Sequence, residues 1–191
     1  MSINNRYTVR FRRRRLGSTD YRARIRMMKS GNPRLVIRKT LNSITAQIIT
    51  YSKKGDNVMV SASSGELRKF GWKASTGNIP SAYLVGLLIG KKALKMSIKE
   101  AIVDIGLGTS TKGSRIYSTL KGAIDAGLNI PHNKDVLPNE KRICGNHIVE
   151  YVQKLNQEQV GKRFGRYLKN NLNPVEIARL FETVKGEIYK S

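Results

Sequence analysis

Apolar and polar positions alternate with a period of two in the first third of the chain. RLVIRKT (34–40) and SITAQIITY (43–51) are rich in β-branched residues and read as strands. In the second, Ile44, Ala46 and Ile48 share one face and Thr45 and Gln47 the other, so one face is the more buried. Only Leu41 and Asn42 separate the two runs, which predicts a tight antiparallel hairpin. Lys53 to Asn57 is a turn, and NVMVSAS (57–63) is a third strand. The period then lengthens. Ser81 to Met96 reads as a helix, with Pro80 ahead of it and apolar residues nearly all round its first half, so it should be deeply packed. Gly86 and Gly90, four apart, would let a neighbouring backbone come close. AIVDIG (101–106) is a short buried strand, and Ser114 to Gly127 a second helix capped by its glycine.

Residues 129–145, with Pro131 and Pro138, read as irregular, and the tail beyond is helical. Asn146 to Leu155 is one piece. Asn156 with Gln159 forms a capping box that opens a second helix, with Val160, Phe164 and Leu168 on one face. Asn173-Pro174-Val175-Glu176 opens a third, whose apolar stripe is Ile177, Leu180, Phe181, Val184 and Ile188. Three strands, helix, strand, helix and a helical extension predict an α/β fold, a mixed sheet with helices packed on it. The expected divisions are a basic arm over 1–33, an α/β core domain over 34–132, and an irregular linker with a helical extension over 133–191.

Charge changes this picture most at the amino end. Of 191 residues, 36 are Lys or Arg and 13 Asp or Glu, a net charge of +23. Such a chain repels itself unless a polyanion neutralises it, which sets aside an ordinary neutral enzyme and points to nucleic acid or an anionic surface. Residues 1–40 hold 13 of the basic side chains against one acid, Asp20, and 11 of the 17 arginines lie between Arg6 and Arg38. Four consecutive arginines leave no apolar face, which argues against a mitochondrial presequence. No apolar run approaches the roughly 18–20 residues of a membrane span. The single cysteine, Cys144, excludes a disulfide framework and a four-cysteine zinc site and fits a reducing, cytoplasmic setting.

Arginine binds phosphate through a planar fork and stacks on bases, which lysine does not. RYTVRFRRRRLGSTDYRARIRMMK interleaves Tyr7, Phe11 and Tyr21 with Arg6, Arg10, Arg12 to Arg15, Arg22, Arg24, Arg26 and Lys29, a composition suited to unstacked RNA bases and phosphates. Ser18-Thr19-Asp20 caps a short helix from Tyr21 to Lys29 on which Arg22 and Arg26 share a face. With +9 over residues 1–29, the arm is expected to order on RNA.

Catalytic chemistry finds no support. GLGTSTKGS (106–114) lies between a strand and a helix, yet its glycines miss the dinucleotide spacing, and Ser114 and Arg115 stand where a Walker loop has Lys and Ser/Thr. A turn that lays Lys112 and Arg115 on an RNA phosphate fits better. Cys144, His147 and His132 are too few for zinc, so no metal and no cofactor is expected. The sheet order resembles ribonuclease H-like nucleases, but no acid occurs from residue 21 to 55, and Asp104 and Asp125 cannot hold two metals. Asp104 is expected to pair or cap at the end of its strand. No histidine has triad context, so no enzyme is expected.

FRRRRLGSTDYRARIRMMKSGNPRLVIRKT (11–40), GWKASTGNIPSAYLVGLLIGKKAL (71–94), AIVDIGLGTSTKGSRIY (101–117) and LKGAIDAGLNIPH (120–132) together resemble one family. It is the archaeal-type 5S rRNA-binding protein of the large ribosomal subunit, the universal L-eighteen family, whose eukaryotic counterpart is numbered five. The resemblance implies a ribonuclease H-like topology without catalytic carboxylates. It implies a structural role, binding 5S rRNA and bridging it to the large-subunit rRNA in the central protuberance, beside the other 5S-binding protein. It implies rRNA contacts at Arg10, Arg12 to Arg15, Arg22, Arg24 and Arg26, and a further one around Trp72, Lys73, Thr76, Gly77 and Asn78. The rival readings are a DNA-compacting protein and a nuclease. Irregular aromatic-arginine loops on a packed core suit folded RNA better than a groove, and the nuclease lacks its acids.

Overall fold

The computed structural model describes residues 8–190. Two short helices, α1 (Arg12–Arg15) and α2 (Tyr21–Met28), precede strands β1 (Arg34–Lys39), β2 (Ile44–Ser52) and β3 (Gly55–Ser63). Helix α3 (Ile79–Lys95), strand β4 (Ile102–Asp104) and helix α4 (Arg115–Asp125) complete the α/β unit. The tail holds α5 (Glu140–Ile143), α6 (Asn146–Gln153), α7 (Gln157–Arg163), α8 (Gly165–Lys169) and α9 (Ile177–Lys190).

The sheet is mixed, in the order β3-β2-β1-β4. β1 and β2 form the expected hairpin, antiparallel with Leu35 opposite Ile48 and Ile37 opposite Ala46. β4 lies parallel to β1, with Val36 opposite Asp104. The β2–β3 register shifts between Ile48, opposite Val60, and Ile49, opposite Val58, leaving Met59 of β3 as the extra residue. Successive residues of β2 face opposite sides, so Ile48 belongs to the main core, whereas Ile49 is buried outside it.

The main core lies on the sheet face made by Leu35, Ile37, Ile44, Ala46, Ile48, Val60 and Ala62. Helix α3 covers it, with twelve buried residues, and starts at the Asn78 cap, two residues earlier than its sequence suggests. Helices α3 and α4 touch through glycine. A Cβ on Gly86 would strike the Thr119 carbonyl and one on Gly122 the Tyr83 carbonyl, so only hydrogen fits at this crossing. The carboxy-terminal helix joins the same core. Ile177, Phe181, Val184 and Ile188 are all buried, and the Phe181 ring lies 5.5 Å from that of Tyr83. Burial, with a hydrogen bond to Asp125, pushes the Tyr83 hydroxyl far above its ordinary pKa.

Two expectations for the tail need correction. The irregular stretch contains a short 3-10 turn (Lys134–Val136) and the one-turn α5. The helix opened by the Asn156–Gln159 capping box stops at Phe164 instead of running on. Gly165 follows it, and the Phe164 ring packs between Tyr151 and Tyr167, at 6.3 and 5.4 Å, which turns the chain. Leu168 is consequently exposed rather than part of a buried stripe.

Candidate nucleic-acid interface

The sheet has a second face. Side chains alternate along β1, so Arg34, Val36 and Arg38 point away from the core that holds Leu35 and Ile37. Helix α2 lies over this face. Asp20 accepts hydrogen bonds from the N–H groups of Arg22 (2.9 Å) and Ala23 (3.1 Å), the cap the sequence predicts. Ala23 and Met27 line a cleft of about 600 Å³ with Val36, Ile49 and Val103 of the sheet.

The polar wall of that cleft is a chain of alternating charges. Arg24 reaches Asp56 at 2.8 Å, Asp56 lies 2.9 Å from Arg34, Arg34 reaches Asp104 at 3.1 Å, and Arg38 closes on Asp104 at 3.1 Å. Arg34 is 3% exposed and Asp104 6%, so these charges persist there because they are paired. Asp104 also accepts a hydrogen bond from the Gly106 N–H at 2.8 Å, and its carbonyl one from Arg38. The carboxylate therefore pairs and caps its strand, as the sequence suggests. Among the described residues no group of three or more His, Cys, Asp or Glu side chains could hold a metal ion.

The arm's remaining arginines have no such partners. Arg10, Arg12 to Arg15, Arg22, Arg26 and Lys29 are exposed, and none of them forms an ion pair among the described residues. Phe11 is 83% exposed at the start of α1, and Tyr21 is half-buried. Arg13 lines the cleft with Arg38 and Lys39. The last two are exposed residues that the sequence reading passed over, because they end a buried strand rather than fall in the arginine run. Arg6 and Tyr7 lie outside the described residues.

The second expected contact is built differently. Trp72 is 2% exposed, and its Nε1 donates to the Ser75 carbonyl at 3.1 Å, so the ring belongs to the core and offers no face to a base. Asn78 caps α3, accepting from the Ser81 N–H at 2.9 Å. Thr76 Oγ1 donates to the Asn42 carbonyl at 2.6 Å. Arg115 donates to the carbonyls of Thr40 (2.9 Å), Leu41 (3.3 Å) and Gly77 (2.9 Å). These bonds fasten the hairpin loop, the 72–78 segment and the start of α4 to one another. The approach is so close that a Cβ on Gly77 would stand 2.7 Å from the Leu41 oxygen. Lys73 and Lys112 stay exposed. The tail touches this cluster as well, Asn170 donating to the Lys73 carbonyl at 2.9 Å and Asn78 to the Tyr167 hydroxyl at 3.4 Å.

The arrangement presents positive charge on an ordered frame: an arginine-lined arm on one sheet face and a pinned loop cluster with free lysines. Among the described residues no helix is long and apolar enough to cross a membrane. Comparison with known proteins agrees in kind. The family model described as ribosomal large subunit proteins 60S L5 and 50S L18 matches residues 5–101 and 95–133. Over 188 residues, 98% of each chain, the sequence is 49% identical to the large ribosomal subunit protein uL18 of Methanothermobacter thermautotrophicus.

Proposed function

The chain belongs to the family of large-subunit ribosomal proteins 60S L5 and 50S L18, and from that membership we propose that it binds 5S rRNA and bridges it to the large-subunit rRNA in the central protuberance. It is a structural constituent of the ribosome rather than a member of an enzyme family. Its partners in this reading are the two rRNAs and neighbouring large-subunit proteins, including the other 5S-binding protein, in the cytoplasm. The observation that carries the reading is the set of exposed arginines Arg10, Arg12 to Arg15, Arg22 and Arg26, which meet no carboxylate among the described residues, beside the exposed Phe11 ring. Guanidinium forks and an aromatic face recognise phosphates and splayed bases together, which irregular RNA offers and regular duplex DNA does not. The expected rRNA contacts are Arg10, Phe11, Arg12 to Arg15, Tyr21, Arg22, Arg26, Lys29, Lys73 and Lys112, with Lys39 added from the cleft. Asp104 cannot serve a nuclease while both its oxygens are held by arginine.

The test is competition between 5S rRNA and duplex DNA of equal length at near-physiological salt. The protein should prefer the RNA clearly. Equal affinity for the two would replace this reading with that of a nonspecific architectural protein.

A further inference from the structure

We propose that Arg24 is a positioning residue, a latch that holds the RNA-binding arm on the sheet through Asp56 before RNA arrives. The inference rests on the 5S rRNA reading above and departs from it at this one arginine. Three observations converge. First, α2 has eight residues, none of them buried, whereas an isolated helix below roughly 12–15 residues is marginal in water even with a good cap. It needs the sheet. Second, the Arg24–Asp56 contact at 2.8 Å is the one hydrogen bond from α2 to the sheet among the described residues. Beneath it, Ala23 and Met27 of α2 and Val36 and Ile49 of the sheet line an open cleft rather than a sealed core. Third, Asp56 is shared. It also lies 2.9 Å from the buried Arg34, which pairs with Asp104. The arm is thereby joined to a charge chain whose other members are fixed by the sheet.

The consequence is a division of labour within the arm. Arg22 and Arg26 are exposed and turned to solvent, while Arg24 is spent on the carboxylate and sets where they point. An arm that is docked in only a fraction of molecules binds RNA more weakly by that fraction, with the same phosphates contacted. Loss of the latch should lower affinity without changing the number of counterions released.

The full-length protein carrying Asp56→Asn, Arg24→Gln, or both would be measured in two ways. Amide exchange across residues 21–28 in the free protein should quicken in each single variant. Affinity for 5S rRNA should fall roughly fivefold, about the worth of one part-exposed ion pair. The slope of log affinity against log salt should stay at the parental value, and the double variant should be no worse than either single one. Arg24→Gln touches no buried group, so it keeps the test valid should Asp56→Asn disturb Arg34, and thermal melts of both would show that. Unchanged exchange in α2 would overturn the latch. So would an Arg24→Gln slope smaller by about 0.7–0.9, which would make Arg24 a phosphate contact. So would an Asp56→Asn protein that binds RNA at least as tightly as the parent. Failure of the parent itself to bind 5S rRNA would instead sink the functional reading, and the exchange measurement would still decide the latch.

Discussion

In the arm, Arg12 to Arg15, Arg22 and Arg26 are exposed and meet no carboxylate among the described residues, whereas Arg34, a few residues on in β1, is buried between Asp56 and Asp104. The side chain is the same, and the surroundings give it opposite work. In the sheet, a buried guanidinium costs several kcal/mol in lost hydration and persists only because two carboxylates answer it. Around Arg12 to Arg15, Arg22 and Arg26 no described carboxylate answers it, so the charge stays in water and is available to a polyanion. Net charge alone does not distinguish the two regions. The position of 13 acids among 36 bases does.

The sharpest way to break this comparison is Arg34→Ala. It leaves Oδ2 of the buried Asp104 without the arginine that held it, with Arg38 and the Gly106 N–H on Oδ1 alone, and should cost about 3–5 kcal/mol of stability, read as a lower urea midpoint. A cost below about 1 kcal/mol, within the range of a surface pair, would mean the sheet's arginines are no more committed than the arm's.

Next in size is replacement of Arg12, Arg13, Arg14 and Arg15 together by alanine. If each neutralises one phosphate, the salt slope for 5S rRNA should fall by about 3, which is roughly 300-fold in affinity at 0.15 M salt. Stability should move by no more than about 0.5 kcal/mol, because none of these residues is buried. Lys121 and Lys190, each already paired with an acid on its own helix, serve as the control and should alter the slope far less. Equal losses in the two variants would reduce the arm to a diffuse field.

Arg115 sharpens the comparison because its sequence position suggests an RNA contact and its geometry a clamp. Arg115→Lys cannot reproduce one guanidinium serving three carbonyls, so it should cost about 1–2 kcal/mol with an unchanged salt slope. A slope smaller by about 1, with stability intact, would return Arg115 to the phosphate contacts.

The smallest effect is titratable. Burial would raise the pKa of Glu66, but Lys92 at 2.6 Å and the Ser63 N–H outweigh it and hold the carboxyl below its ordinary value. A depressed folded pKa contributes stability above the unfolded value and loses it as pH falls through the folded one. The difference in melting temperature between the parent and Lys92→Ala should therefore be constant near neutrality and shrink below about pH 4.5. A difference that persists unchanged in acid would show that Lys92 acts through packing of its alkyl stem.

Much of this structure is legible along the chain. The alternation of Ile44, Ala46 and Ile48 sets which face of β2 is buried, and the two-residue gap before it sets the hairpin. Asp20, Asn156 and Asn173 mark helix starts because a cap works on N–H groups two or three residues away. The glycine pair in α3 announces a close helix crossing. Of the candidate site, the outward arginines of the arm are legible because the one nearby acid, Asp20, is taken by the helix cap, and no described carboxylate pairs with them in space.

Other features depend on residues far apart in the chain. Trp72 falls in a segment that the family resemblance marks as an rRNA contact, yet the core takes its ring, because an indole buried with its N–H satisfied by Ser75 is more stable there than in water. Arg24 reads like Arg22 and Arg26 until Asp56, on another strand, singles it out. The break at Phe164 needs Tyr151, one helix earlier, to hold its ring. By itself the sequence determined the strands, most helix boundaries, the family and the arm as the positive region, since these follow from periodicity, caps and composition within a few residues. The tertiary structure alone decided which arginines are spent on the fold and which stay clear of any described carboxylate. A charge is committed by the carboxylate that reaches it within about 3 Å, and that partner lies 32 residues away for Arg24 and 70 for Arg34.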